Sequence, residues 1–301
     1  MNFQEILSAI FTFDNYAQLL PLVRNSLIAG AVLGLLGGLI GTFVMMRDLA
    51  FAVHGIAELS FAGAAFALLI GANVVAGSLV GSVLAALVLG VMGIRARDRN
   101  SVIGVVMPFG LGLGILFLAL YEGRAANKFG LLTGQIVSVD DVQLNLLAGC
   151  AVVVMIALAA IWRPLTFASA DADLAEARGV PVRGLSILFM VLLGVSVALS
   201  IQVVGALLVL ALLITPAAAA LKVTSAPGFV VLLSVVFACT SVVGGILLAL
   251  GGRIPVSPYV TTISFAIYLA CRLIGSRRSR RRSRRVDAVG QPDLRVAGSS
   301  A

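Results

Sequence analysis

The sequence predicts an all-α membrane protein, a polytopic bundle of eight or nine transmembrane helices, from three observations. Of the 301 residues, 60% are apolar and 11% charged, against roughly a quarter charged in a typical soluble domain. Apolar stretches of the roughly 20 residues that cross a bilayer as a helix follow one another along the chain. The stretches are continuous rather than alternating, and a backbone in lipid must satisfy its own amides, so helices are favoured over a barrel.

Nine spans can be drawn, at about 25–46, 51–70, 72–94, 101–121, 143–163, 184–201, 203–221, 228–250 and 257–274. Only Ser200, Gln202 and Gly205 suggest a turn between the sixth and seventh, so a single broken helix there would lower the count to eight. Residues 1–23 read as an exposed or interfacial lead-in. They carry two acids and a proline, with no basic region ahead of an apolar stretch, unlike a cleavable signal. Cys150, Cys239 and Cys271 fall inside spans without C-x-x-C spacing and are expected to be buried thiols.

Orientation follows from the 21 basic residues, because Lys and Arg collect in cytoplasmic loops. With nine spans, one side holds Arg47, Arg95, Arg97, Arg99, Arg163, Arg178, Arg183, Lys222, Arg272 and the tail; the other holds Arg24, Arg124, Lys128 and Arg253. Seventeen against four places the N-terminus outside and the C-terminus in the cytoplasm. The domain plan is therefore the lead-in, a transmembrane domain over 24–275 with a cytoplasmic loop at about 164–183, and an arginine-rich, disordered cytoplasmic tail over 276–301. From Arg277 to Arg285 that tail has seven arginines in nine residues. Such a block after a last span fixes topology and touches anionic membrane lipid; no nucleic-acid partner is expected.

Gly30, Gly34 and Gly38 form consecutive G-x-x-x-G steps, and the spacing recurs at Gly77 and Gly81 and at Gly110 and Gly114. Small residues four apart let helix backbones approach closely in lipid. The set Gly110, Gly112 and Gly114 is read as packing and not as a nucleotide loop, since no strand precedes it and Pro108 lies in the same span. Gly205 and Pro216 are likewise assigned to helix packing. A Walker A loop needs a Gly-Lys pair, and the two lysines follow Asn127 and Leu221. If transport uses ATP, another chain must hydrolyse it.

From Phe51 to Ile94 the one formally charged residue is Glu58, and His54 lies four positions earlier. Four residues on a helix return to nearly the same face, so imidazole and carboxylate can converge on one ligand. An ionised group at mid-bilayer costs about 3 kcal/mol on insertion scales, which makes random placement a poor explanation. Two readings stay open: a structural pair that satisfies itself or a neighbouring helix, and a transient metal or proton site along a path. Neutral imidazole and carboxylate suit zinc, iron or manganese. His54 is the one histidine in the chain, and a closed tetrahedral site needs four protein ligands. A two-fold dimer would bring two histidines and two glutamates together.

Between Arg163 and Gly184 the stretch Ala170 to Pro181 is short, charged and helix-like. Asp171 or Asp173 can cap its start, and Gly179 with Pro181 ends it. A helix of two turns is marginal alone. It is either a surface turn or the element through which a soluble ATPase delivers force.

At these residues the sequence resembles the permease subunits of zinc and manganese ABC importers, the ABC-3 type metal transporter family, over residues 22–273. The resemblance is carried by Arg47 and Leu49 to Gly63, by Gly134 to Asp141, by Asp173 to Val180, and most specifically by Val204 to Ala220, which contains Gly205 and Pro216. It implies that positions 54 and 58 pass metal along the pore, although the family usually has Asp and then His where this chain has His54 and Glu58. It also implies that Asp171, Asp173, Leu174, Glu176, Arg178 and Gly179 contact the ATPase. The expected function is a permease of an ATP-driven divalent metal importer in the cell membrane. The expected partners are a separate ABC ATPase, an extracellular metal-binding lipoprotein and a second permease copy. No resident cofactor is implied; Zn2+ is the first expected substrate, with Mn2+ or Fe2+ as alternatives. A proton-coupled secondary transporter would show broken helices in matching halves, and a metal hydrolase would show H-E-x-x-H; neither pattern is evident.

Overall fold

The computed structural model describes residues 20–92, 96–123, 139–205, 208–250 and 255–289. A 3-10 turn, Leu20–Val23, leads into α1 (Arg24–Met46). There follow α2 (Ala50–Leu69), α3 (Val74–Met92), α4 (Ala96–Leu120), α5 (Asp141–Ala170), the short α6 (Ala172–Ala177) and α7 (Val182–Val204). Two further short helices, α8 (Val209–Leu213) and α9 (Thr215–Val223), precede α10 (Pro227–Leu250) and α11 (Val256–Val289). Eight helices among the described residues are long and apolar enough to cross a membrane. The lysine at 128 and most of the Gly134 to Asp141 motif lie outside the described residues.

The stretch expected as a seventh span is not one continuous helix. α7 ends where Gly205 takes φ 86° and ψ 159°, a backbone region open essentially to glycine alone that costs another residue about 1–3 kcal/mol. Its amide still closes the last turn by donating to the Ile201 carbonyl at 2.9 Å. A second break falls at Ile214, ahead of Pro216 in the first turn of α9, where a missing N–H is harmless. Irregular backbone at membrane depth is tolerated when protein surrounds it, and Leu208, Val209, Leu212 and Leu213 are all buried.

The interrupted segment nevertheless returns the chain across the bundle. At one face Asn25 donates to the Val139 carbonyl at 3.3 Å and to Asp141 Oδ1 at 2.7 Å, joining the starts of α1 and α5. At the opposite face Arg47 donates to Ser186 Oγ, joining the end of α1 to the start of α7. α10 runs antiparallel to α1, with Gly30 beside Val242 and Ile246, and Gly38 beside Val235. The start of α10 is therefore on the Arg47 face. Lys222 precedes it closely, and its carbonyl abuts Gly275 of α11. α7 leaves the Arg47 face and α9 comes back to it. The start of α1 and Gly275 thus lie on opposite faces.

Two boundaries differ from the sequence expectation. α5 continues through Pro164 to Ala170, so the start of the expected loop at 164–183 is helical. Thr166 Oγ1 and Ser169 Oγ donate back to the carbonyls of Trp162 and Leu165 at 2.8 and 2.6 Å. α11 continues to Val289, so the expected disordered tail is helical that far, in keeping with the good helix propensity of arginine. Phe43 of α1 anchors the core on the Arg47 side, edge-on to Trp162 of α5 at 4.8 Å and to Phe189 of α7 at 5.9 Å.

Candidate metal-transit site

α2 has an alanine- and glycine-rich sequence, and Ala52, Val53, Ile56, Ala57, Ala64 and Ala65 are buried among its neighbours. That packing fixes the helix about its own axis. It leaves His54 and Glu58 on a partly open flank, with side chains 33% and 15% exposed. His54 Nε2 stands 3.6 Å from Glu58 Oε1, beyond ordinary hydrogen-bond length but close enough for both to reach one ion. α2 runs away from the Arg47 face, so His54 lies about 6 Å nearer that face than Glu58.

Among the described residues, no group of three or more His, Cys, Asp and Glu side chains converges. One copy of the chain therefore offers two ligands where a closed zinc site takes four. An apolar groove of about 570 Å3 between α2, α3 and α4 is lined by Leu59, Phe66 and Phe117 and includes neither member of the pair.

The residues expected to meet an ATPase form one exposed element on the Arg47 face. Asp171 Oδ1 accepts from the Leu174 amide at 2.9 Å and caps α6. The helix closes when the Gly179 amide donates to the Glu176 carbonyl at 2.9 Å, with Gly179 at φ 81°. Ala175 is buried against the bundle, while Asp171, Asp173, Leu174, Glu176, Arg178 and Gly179 are exposed.

The expected packing residues divide by role. Gly30, Gly34 and Gly38 line the contact of α1 with α10. Pro216 is buried at the start of α9. Gly205 instead serves a backbone turn. Two contacts were not legible as site features. Arg47 lies over the Phe189 ring at 5.7 Å, and buried Gly110 of α4 faces the Glu58 backbone. Their partners are far away in sequence, and no local pattern announces them.

These features define a polytopic, all-α membrane permease with a polar pair in an otherwise apolar helix. The chain belongs to the ABC 3 transport family, whose model matches residues 20–275. It is 29% identical to the manganese transport system membrane protein MntC of Halalkalibacterium halodurans, over 74% of this chain and 77% of that protein. It is 23% identical to the high-affinity zinc uptake system membrane protein ZnuB of Haemophilus influenzae, over 74% of this chain and 86% of that protein. Its structure is similar to that of PsaBC from Streptococcus pneumoniae in complex with Fab, with a TM-score of 0.76 and 25% identity, covering 85% of this chain and 94% of that one.

Proposed function

We propose that this chain is the membrane permease of an ATP-driven importer of a divalent transition metal, and that His54 and Glu58 form its transit site. The observation that carries the reading is the pair itself: imidazole and carboxylate 3.6 Å apart in an apolar helix. Desolvating such groups is costly unless a path, water or an ion compensates them. Zinc is the first expectation from the ligand types. Manganese fits at least as well, because the relative named for manganese is more similar than the one named for zinc. Imidazole with carboxylate accepts either ion.

A second copy of the chain completes a four-ligand set at the pore. A separate ATPase docks on α6, and an extracellular metal-binding lipoprotein delivers the ion. Neither lysine of the chain follows a glycine, so no Walker A loop is available for hydrolysis. The Arg47 face is cytoplasmic in this reading. Arg47, Arg163, Arg178, Arg183, Lys222 and Arg272 lie on it and Arg24 lies on the other face, in keeping with the positive-inside rule. The N-terminus is then outside and the C-terminus in the cytoplasm, in a cell membrane.

The experiment is radiometal uptake in cells lacking other importers, with the cognate ATPase and binding protein expressed alongside. Uptake of manganese or zinc that vanishes in Glu58→Ala supports the assignment. Uptake that persists in Glu58→Ala would remove the transit site.

A further inference from the structure

We propose that Gly110 is a positioning residue for Glu58, and that the approach it permits between α4 and α2 sets which divalent ion the pair prefers. The proposal rests on the metal-transit reading above.

α2 and α4 run in the same direction and touch at successive levels. Ile103 lies beside Gly55, Gly110 beside Glu58, and Gly114 beside Phe61. The middle contact is backbone to backbone. A Cβ on buried Gly110 would stand 3.1 Å from the Glu58 carbonyl carbon, 3.1 Å from the Leu59 nitrogen and 3.2 Å from Glu58 Cβ. No rotamer change relieves such a contact, because the main atoms it meets belong to a helix backbone. One helix must yield by a few tenths of an ångström at the turn that carries the carboxylate. The three nearest atoms to that Cβ belong to Glu58 and Leu59, none to His54.

A displacement of that size exceeds the roughly 0.2 Å tolerance of metal–ligand distances. Zinc takes oxygen and nitrogen ligands at about 2.0–2.2 Å in tetrahedral sites, whereas manganese favours octahedral, oxygen-rich ones. The two ions therefore ask for different placements of the same carboxylate. Selectivity among divalent ions comes from ligand geometry more than from raw affinity. Moving Glu58 relative to His54 therefore changes the ion that both can reach.

The glycines of α4 supply their own controls. A Cβ at Gly112 meets nothing within 4 Å, whereas one at Gly114 meets the Phe61 ring at 2.5 Å, one turn beyond the pair. Gly110→Ala, Gly112→Ala and Gly114→Ala are compared in cells that also express the ATPase and binding protein. Initial uptake of radioactive manganese and zinc is measured in competition and normalised to permease in the membrane. The expected result is a manganese-to-zinc ratio changed about threefold or more in Gly110→Ala and unchanged in the other two. An unchanged ratio in Gly110→Ala overturns the proposal. So does an equal change in Gly114→Ala, which would make the effect one of general helix separation. Should Gly110→Ala fail to reach the membrane, Glu58→Asp withdraws the carboxylate without touching α4; an unchanged ratio there overturns the proposal equally. Loss of uptake in Glu58→Ala with an unchanged ratio in Gly110→Ala refutes the positioning role alone. Uptake that survives Glu58→Ala refutes the transit site and the positioning role together.

Discussion

His54 Nε2 and Glu58 Oε1 lie 3.6 Å apart, one turn along α2, with the imidazole about twice as exposed as the carboxylate. A pair that existed only to neutralise itself would behave differently from a pair that meets passing ions. Removing one member of a self-satisfying pair leaves an uncompensated buried group, and removing both relieves it. We expect His54→Ala and Glu58→Ala each to abolish metal uptake while the protein remains in the membrane. The double variant is expected to be as inactive as either single. Wild-type uptake in the double variant would return the pair to a structural role.

Gly205 is tested by stability. At φ 86° and ψ 159° any L side chain is strained, so Gly205→Ala is expected to destabilise the protein by about 1–3 kcal/mol. Gly104→Ala, in open space on α4, should be neutral or slightly stabilising. Thermal unfolding of the two variants in one detergent compares them. Equal midpoints would show that the turn at Gly205 relaxes without cost.

Gly38 makes a different demand, for space. A Cβ there would stand 2.5 Å from Val235 Cα. The same turn accepts Ser234 Oγ on the Gly38 carbonyl at 2.9 Å, so α1 cannot draw back without losing a buried hydrogen bond. Gly38→Ala is expected to cost about 1–3 kcal/mol, as overpacking does. Gly149→Ala, with nothing within 4 Å, is the matched control in the same thermal assay.

The helical bundle and the His54–Glu58 contact are legible in the sequence because both rest on local signals. Spanning length is written in continuous hydropathy, and one histidine four residues before one glutamate stands out against an apolar background. The packing of α1 on α10 was half legible: the spacing of Gly30, Gly34 and Gly38 marked a close contact without naming its partner. At the seventh crossing hydropathy continues through residues 203–221 while the backbone is interrupted, so the sequence marks the crossing more clearly than its breaks. Gly205 and Pro216 were visible in the sequence, but a glycine at positive φ and a glycine at a helix contact look alike until the dihedral is known. The spacing of Gly110 and Gly114 marks packing, and the partner of Gly110, Glu58, lies 52 positions away along the chain. Such a pairing depends on how α2 and α4 stack, which no local period encodes.

The purified chain alone is expected to hydrolyse no ATP, since neither Lys128 nor Lys222 follows a glycine and a phosphate-cradling loop requires that pair. Adding the cognate ATPase should give hydrolysis stimulated by metal-loaded binding protein. Phosphate release by the isolated permease, at a rate unaffected by removing contaminating ATPases, would contradict this.

α6 offers the sharpest test of coupling, because its six residues are too few to hold a helix by propensity alone. Asp171 caps the first turn through the Leu174 amide, and losing such a cap costs about 1 kcal/mol. Ala175 is its buried contact with the bundle. Asp171→Ala should therefore fray the exposed surface without disturbing a packed span. Glu176→Arg keeps the helix and reverses a charge on that surface. Gly179→Trp forces a bulky L residue into φ 81° and displaces the closing turn. All three variants are expected to reach the membrane at normal levels, to lose co-purification with the ATPase and to lose uptake. Asp171→Asn preserves the capping oxygen and should retain most of both. If association and uptake are unchanged in all of them, α6 is a surface turn and force must enter the bundle elsewhere. If Asp171→Asn fails as badly as Asp171→Ala, the carboxylate charge is itself part of the ATPase contact, beyond its role as a cap.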